Sequence, residues 1–159
     1  MDTRTLILFS LVPTALGHLV NTLLMVPLLG TPLYLLMPWA AALFCLWAGA
    51  RCGRAGTRLL PALLLTQWLN VLCLGLYLWQ FHFGDGTAPS LLLSGLAQVP
   101  GSCLSLATSR LVHRSLQPDP SGTIFWGPQQ TLLMLSLSTA LLAALFLCGY
   151  LWGRHERSA

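Results

Sequence analysis

Polar side chains at helical spacing are the residues of this sequence that could carry chemistry. His18 and Asn21 are three positions apart, so they would lie on one face of a helix. Gln67 and Asn70 would share a face of another helix, and Gln98 lies within a stripe of serines. These side chains offer hydrogen-bond donors and acceptors without fixed charge. A site made of such groups would suit a small neutral polar molecule better than an ion.

Two interpretations of these residues stay open at this stage. In the first, they line one polar cavity at mid-membrane depth and form a ligand-binding site made of His18, Asn21, Gln67, Asn70 and Gln98. In the second, each side chain bonds to a backbone carbonyl or to another helix and only holds the helices together. Such bonds between membrane helices contribute about 0.6 kcal/mol each on average.

The elements that must position these residues are indicated by composition and charge. The chain is 55% hydrophobic and 8% charged, whereas soluble domains have about 25% charged residues. Residues 5–50, 59–84, 86–109 and 120–153 contain no Asp, Glu, Lys or Arg. A membrane-spanning helix needs about 20 mostly apolar residues. Because the runs do not alternate between apolar and polar residues, they predict helices rather than barrel strands.

We therefore predict an all-α fold, a polytopic transmembrane bundle of five helices in one integral membrane domain, residues 1–159. A Pro and Gly cluster between Pro27 and Pro32 predicts a turn that divides the first charge-free run. The first span is longer than the roughly 7–15 apolar residues of a signal peptide, so it is expected to be retained. The predicted spans are 6–29, 33–50, 59–83, 89–109 and 129–152.

The arginines predict the orientation, because short cytoplasmic loops are rich in Lys and Arg. The chain has eight basic residues, all Arg. With five spans, the N-terminus, the second loop and the fourth loop share one side and hold Arg4, Arg51, Arg54, Arg58, Arg110 and Arg114. The sequence therefore predicts a cell-membrane protein with a cytoplasmic N-terminus. The C-terminus, with Arg154 and Arg157, is predicted to lie outside.

The sequence lacks the residues that several kinds of chemistry require. A chain without Lys cannot have a P-loop lysine or a Schiff-base lysine. All four acidic residues lie outside the predicted spans, which disfavours an ion-driven pump. The five cysteines are scattered and form no C-x-x-C motif, so no metal site is predicted. Dispersed arginines without interleaved aromatics predict no nucleic-acid partner. An enzyme is disfavoured, and no cofactor is expected.

Small residues at four-residue spacing predict where helices touch, because they let backbones approach closely. One stripe consists of Ala41, Cys45 and Gly49 in the second span. Two others consist of Gly101, Ser105 and Ser109 in the fourth span and of Ser136, Ala140, Ala144 and Cys148 in the fifth span. All three are predicted to be contact faces of a compact bundle or of an oligomer.

Two functions remain open. The first is a substrate-binding or transport subunit for a small neutral polar ligand. It would depend on a partner for energy, because the chain has no nucleotide site and no acidic residue within a predicted span. The second is a non-catalytic accessory or scaffold protein whose polar residues only mediate packing. In both cases the partners would be the lipid bilayer and another membrane protein or a second copy of this chain.

Overall fold

The structure is a computed structural model that describes residues 2–23, 30–84, 86–113 and 127–158. All regular secondary structure in these ranges is helical, so the predicted all-α bundle is confirmed. The predicted turn between Pro27 and Pro32 and the loop before the last span lie mostly outside the described residues. The helices are α1 (Thr3–Leu23), α2 (Gly30–Arg54), α3 (Leu59–Phe83), α4 (Ala88–Ser102), α5 (Ser105–His113) and α6 (Pro128–Ser158).

Four helices, α1, α2, α3 and α6, contain stretches long and apolar enough to cross a membrane, and α4 and α5 together form a bent fifth candidate. The outward surfaces of the helices are apolar, with exposed large side chains such as Leu8, Leu43, Leu60 and Leu92. A soluble bundle would cover that surface with polar residues. Length, composition and surface thus support a membrane location.

The closest helix pair is α2 with α6, which meet through glycines of both helices. A Cβ atom added to Gly49 would collide with the Phe146 carbonyl oxygen, and one added to Gly149 would collide with the Leu46 carbonyl oxygen. We call this contact the glycine interface and define it by Gly49, Gly53, Gly149 and Gly153. Each helix carries a G-x-x-x-G pair, the spacing that allows backbone contact.

The direction of α6 follows from this interface. Gly49 lies against Phe146, and Gly53, one turn later, lies against Tyr150. Because the residue numbers rise together along both helices, α2 and α6 run parallel. Their C-terminal ends therefore meet, and there the Arg54 Nε donates a hydrogen bond of 2.6 Å to the Glu156 Oε2.

Two more helix ends lie at this end of the bundle. Leu6, near the start of α1, packs in one cluster with Cys52 and Tyr150. The Tyr150 hydroxyl donates a 2.7 Å hydrogen bond to the carbonyl of Thr57, just before α3 begins. Since Arg54 and its neighbouring arginines lie here too, we call this the arginine end. It holds both the start of α1 and the end of α6.

α4 and α5 form a bent pair with a 100° angle between their axes. α4 begins at the opposite end of the bundle, where Ser90 bonds to Gln80 of α3. The break reaches the interior, where Leu104 packs with residues of α2 and α6. α5 then turns back, and its Val112 packs in a cluster with Tyr77 and Met134. The bent pair thus begins and ends away from the arginine end.

This arrangement differs from the predicted continuous span 89–109. A fully crossing fourth span would make α2 and α6 antiparallel and would place the two chain ends at opposite ends of the bundle. The physical reason for the difference is the buried Pro100–Gly101 pair just before the break. Proline removes a backbone donor from a helix, and glycine tolerates conformations that a helix does not use.

The predicted small-residue stripes differ in burial. Ala41, Cys45 and Gly49 are buried, so that stripe is a contact face of the bundle, as predicted. In the bent pair, Gly101 is buried, and Ser105 and Ser109 are half-buried. On α6, Ala140, Ala144 and Cys148 are exposed, so this stripe is not a contact face within the bundle. The buried face of α6 is displaced by two positions and includes Ser138, Leu142 and Phe146.

Candidate functional site

The five predicted ligand-binding residues lie on three helices and differ in burial. His18 and Asn21, both on α1, are exposed. The neighbouring Gly17 is buried, because it lies directly against the Val99 carbonyl of α4. The face of α1 that packs onto the bent pair is therefore the face that carries Gly17. His18 and Asn21 point to the surroundings of the bundle.

Gln67 and Asn70 of α3 are the buried pair of this set, each 4% exposed. The Asn70 Nδ2 donates a hydrogen bond of 2.6 Å to the Gln67 Oε1. The Asn70 Oδ1 is also buried and has no hydrogen-bond partner among the described residues. At 1.5 Å per residue, the two residues lie about 12 and 16 Å from the start of α3, near mid-depth of the bundle.

Gln98 of α4 is half-buried and bonds within its own helix. Its Nε2 donates to the Ser94 carbonyl at 3.2 Å. The structure therefore brings Gln67 and Asn70 into contact, and it places Gln98 on another helix. Whether any of the five residues binds a ligand stays a prediction.

A buried polar contact that the sequence did not single out joins the bent pair to α6. The Thr108 and Ser138 hydroxyls lie 3.1 Å apart, and both residues are 0% exposed. The serine stripe predicted for the fourth span assumed one continuous helix. Because the helix breaks at Cys103 and Leu104, the residues of α5 do not continue the serine face of α4. Thr108 of α5 contacts Ser138 of α6 instead.

A polar pocket of about 380 Å³ lies at the arginine end. Arginines from two segments enclose it: Arg58 precedes α3, and Arg154 and Arg157 belong to α6. We call it the arginine pocket, and it is lined by Gly53, Gly56, Thr57, Arg58, Leu59, Tyr150, Arg154 and Arg157. The predicted five-span topology put Arg58 and Arg154 on opposite sides of the membrane, so the sequence did not indicate this pocket.

Two apolar grooves open on the outside of the bundle. One, of about 520 Å³, lies between α3 and α6, with Leu63, Leu64 and Ala143 among its lining residues. We call it the α3–α6 groove. The other, of about 440 Å³, lies between α2, α5 and α6, with Trp39 and Arg110 on its walls. Both have the apolar lining expected of a surface that faces acyl chains.

Within the described ranges, no group of three His, Cys, Asp or Glu side chains is placed to hold a metal ion. The buried polar residues in these ranges are all uncharged Ser, Thr, Gln or Asn. Comparison with known protein families, with curated proteins and with solved structures gives no match to this chain. The chemistry of the side chains is thus the basis for any functional proposal.

Proposed function

We propose that this protein is a multi-pass cell-membrane protein that acts as a non-enzymatic binding subunit. Its ligand would be small and neutral, and would have a hydrogen-bond donor that reaches Asn70. The observation that supports this proposal is the Asn70 Oδ1, which is buried without a partner among the described residues. Gln67 would position the Asn70 amide through the hydrogen bond that it accepts.

The free-energy cost of the unpaired Asn70 Oδ1 favours a bound molecule that donates a hydrogen bond to it. An unpaired buried acceptor costs about 1–3 kcal/mol, and lipid offers no water to relieve the cost. A donor from a bound molecule would recover that free energy. A neutral molecule fits better than an ion, because buried charge needs a compensating charge and the buried polar residues in the described ranges are uncharged.

The proposed topology has four crossing helices, α1, α2, α3 and α6. The bent pair α4–α5 would enter and leave from the side opposite the arginine end. Irregular backbone at membrane depth is tolerated where protein buries it, and Cys103 and Leu104 at the break are only 1% and 2% exposed. The positive-inside rule then makes the arginine end cytoplasmic, and with it both chain termini.

A second candidate function is that of an accessory or scaffold protein. It is favoured by His18 and Asn21, which are polar and face away from the bundle on α1. Polar side chains inside a membrane usually face protein or water rather than lipid. A helix of a partner, or of a second copy of this chain, would cover them.

Native mass spectrometry of the purified full chain tests the binding proposal. We expect the wild-type protein to retain a non-lipid small molecule that Asn70→Leu loses. Asn70→Leu removes the unpaired Asn70 Oδ1 but also the donor to the buried Gln67 Oε1. One unpaired acceptor replaces another, so the helical content and thermal stability of the empty protein should change little. Asn21→Leu is the matched control, because it removes the same amide from an exposed position, and it should retain the molecule.

The alternatives give different results. If the wild type carries no small molecule, or if Asn70→Leu carries the same one, the binding proposal is wrong. Co-purification of a membrane protein that Asn21→Leu releases would instead support the accessory function.

A further inference from the structure

We propose that the arginine pocket binds the phosphate headgroup of an anionic phospholipid, with one acyl chain lying in the α3–α6 groove. This inference goes beyond the proposed function, because it concerns a charged ligand held at the arginine end. Gln67 of the proposed binding pair also lines the groove. The pocket lies between the α2–α3 loop, the start of α3 and the end of α6, and the groove lies further along between α3 and α6. One molecule with a charged head and an apolar chain would occupy both.

The charge of the pocket favours an anion. The side chains of Arg58, Arg154 and Arg157 have no ion-pair partner within the described part of the chain. Glu156, which lies between Arg154 and Arg157 in sequence, is paired with Arg54 instead. Arginine binds phosphate through two parallel hydrogen bonds from its planar guanidinium. Three unpaired guanidinium groups around about 380 Å³ form a phosphate-binding environment.

The backbone at the pocket adds to this preference. α3 begins here, and the side chain of its N-cap residue Arg58 makes no capping hydrogen bond. The first N–H groups of a helix lack intrahelical partners and favour an anion. The loop before α3 is held in place, because the Tyr150 hydroxyl bonds to the Thr57 carbonyl.

Gly56 allows the close approach of one of the three arginines. It has a φ of +66°, a conformation that glycine adopts without strain. The Arg157 guanidinium lies against it, where the Cβ of another residue would overlap it unless the flexible Arg157 side chain moved. Gly56 thus leaves room for Arg157 beside the loop.

The apolar part of the site lies on the same side of α6 as the arginines. Positions that differ by about four, seven or eleven residues share one face of a helix. Thr139 and Ala143 of the groove are spaced in this way from Tyr150 and Arg154 of the pocket. On α3, Leu59 lines the pocket, and Leu63, one turn further, lines the groove.

The kind of molecule that would bind follows from the position of the arginine pocket beside the α3–α6 groove. A free phosphate would use only the arginines, and a zwitterionic lipid would bring a positive group close to them. A phospholipid with net negative charge matches the guanidinium groups and also has a chain for the groove. Basic pockets between membrane helices on the cytoplasmic side recognise such headgroups in other proteins.

The test measures lipid binding by the full-length protein in a neutral detergent. Dioleoyl-phosphatidylglycerol, dioleoyl-phosphatidylcholine and inorganic phosphate are titrated separately, and binding is followed by native mass spectrometry and by the shift in melting temperature. For phosphatidylglycerol we expect affinity at least tenfold higher than for phosphatidylcholine. Inorganic phosphate should produce no comparable shift in melting temperature.

Two variants locate the site. The double variant Arg154→Gln with Arg157→Gln should weaken phosphatidylglycerol binding at least tenfold. The control Arg4→Gln with Arg51→Gln also removes two charges from the same end, but Arg51 lies over the Trp47 ring and neither residue lines the pocket. It should weaken binding less than threefold. Helical content and size-exclusion profiles confirm that both variants are folded.

Three outcomes would overturn the proposal. Equal binding of phosphatidylcholine would show that charge is not recognised. A phosphate response as strong as that of the lipid would indicate an anion site without a lipid. Equal losses in the control Arg4→Gln with Arg51→Gln and in the variant Arg154→Gln with Arg157→Gln would mean that only the overall charge of the arginine end matters.

Discussion

The helix α6 contacts both α2, at the glycine interface, and the bent pair, but the two contacts are built differently. At the glycine interface, the backbones of α2 and α6 touch, because glycines of each helix lie against carbonyl groups of the other. In the bent pair, Gly101 faces the end of the Leu135 side chain of α6. A backbone cannot move without moving the whole helix, whereas a leucine side chain can change rotamer.

The difference shows which contact determines the topology. The glycine interface fixes the relative position and the parallel direction of α2 and α6. The bent pair then has to begin and end at one end of the bundle, as Pro100 and Gly101 permit. Toward α6 it is held by adaptable contacts, including the Thr108–Ser138 hydroxyl pair, whereas toward α1 its Val99 carbonyl lies directly against Gly17. The rigid contact between α2 and α6 sets the direction of these two helices, and the adaptable contacts between the bent pair and α6 accommodate it.

The largest effect is expected from Gly149→Ala. The added methyl group would overlap the Leu46 carbonyl, so α2 and α6 must separate. Overpacking of this kind costs about 1–3 kcal/mol, and we expect the free energy of unfolding to fall by that amount. Reversible unfolding in mixed detergent micelles measures it.

Gly75→Ala is the control for that experiment. Gly75 lies in α3, is exposed, and has no atom within 4 Å of an added Cβ. Replacing it should leave stability unchanged or raise it slightly, because alanine favours helix by up to about 1 kcal/mol over glycine. Equal losses for Gly149→Ala and Gly75→Ala would contradict the account of the glycine interface.

A smaller effect is expected from Gly101→Ala in the bent pair. Its methyl group meets the Leu135 side chain, which can rotate at a cost of about 0.5–1.5 kcal/mol. The helix propensity of alanine offsets part of that cost. In the same unfolding assay, the free energy should change by less than about 1 kcal/mol. A loss as large as that of Gly149→Ala would mean that the two contacts are equally rigid.

The sequence predicted the fold class and most helix positions, because long apolar runs without charge leave few alternatives. α3 matches its predicted span, 59–83, at both ends. The fourth span was predicted without its break, although Pro–Gly pairs commonly mark turns. The G-x-x-x-G pairs were also missed, because Gly53 and Gly153 lay just beyond the predicted span ends.

The arginine count could not decide the topology. With five crossing helices, Arg110 and Arg114 join the cytoplasmic set, and the two arginines of the C-terminal tail do not. With four crossing helices and the bent pair, Arg154 and Arg157 join the cytoplasmic set, and Arg110 and Arg114 do not. Both topologies give six cytoplasmic arginines against two, so only the packing of α2 against α6 separates them.

The candidate sites were only partly accessible to sequence reasoning. Gln67 and Asn70 were predicted to be close because three-residue spacing brings side chains together within one helix, and they bond to each other. The arginine pocket depends on α6 ending beside α2, and no local pattern specifies a contact between segments about a hundred residues apart.

The central claim is that α2 and α6 run parallel, so that both chain ends lie at the arginine end. Single cysteines at Thr57, Gly86 and Ser158, in a cysteine-free background, can be labelled with an impermeant maleimide on intact cells. The account predicts that Ser158→Cys behaves like Thr57→Cys and is protected until the cells are permeabilised, whereas Gly86→Cys is labelled from outside. Labelling of Ser158→Cys together with Gly86→Cys would contradict it and would restore a fully crossing fourth span.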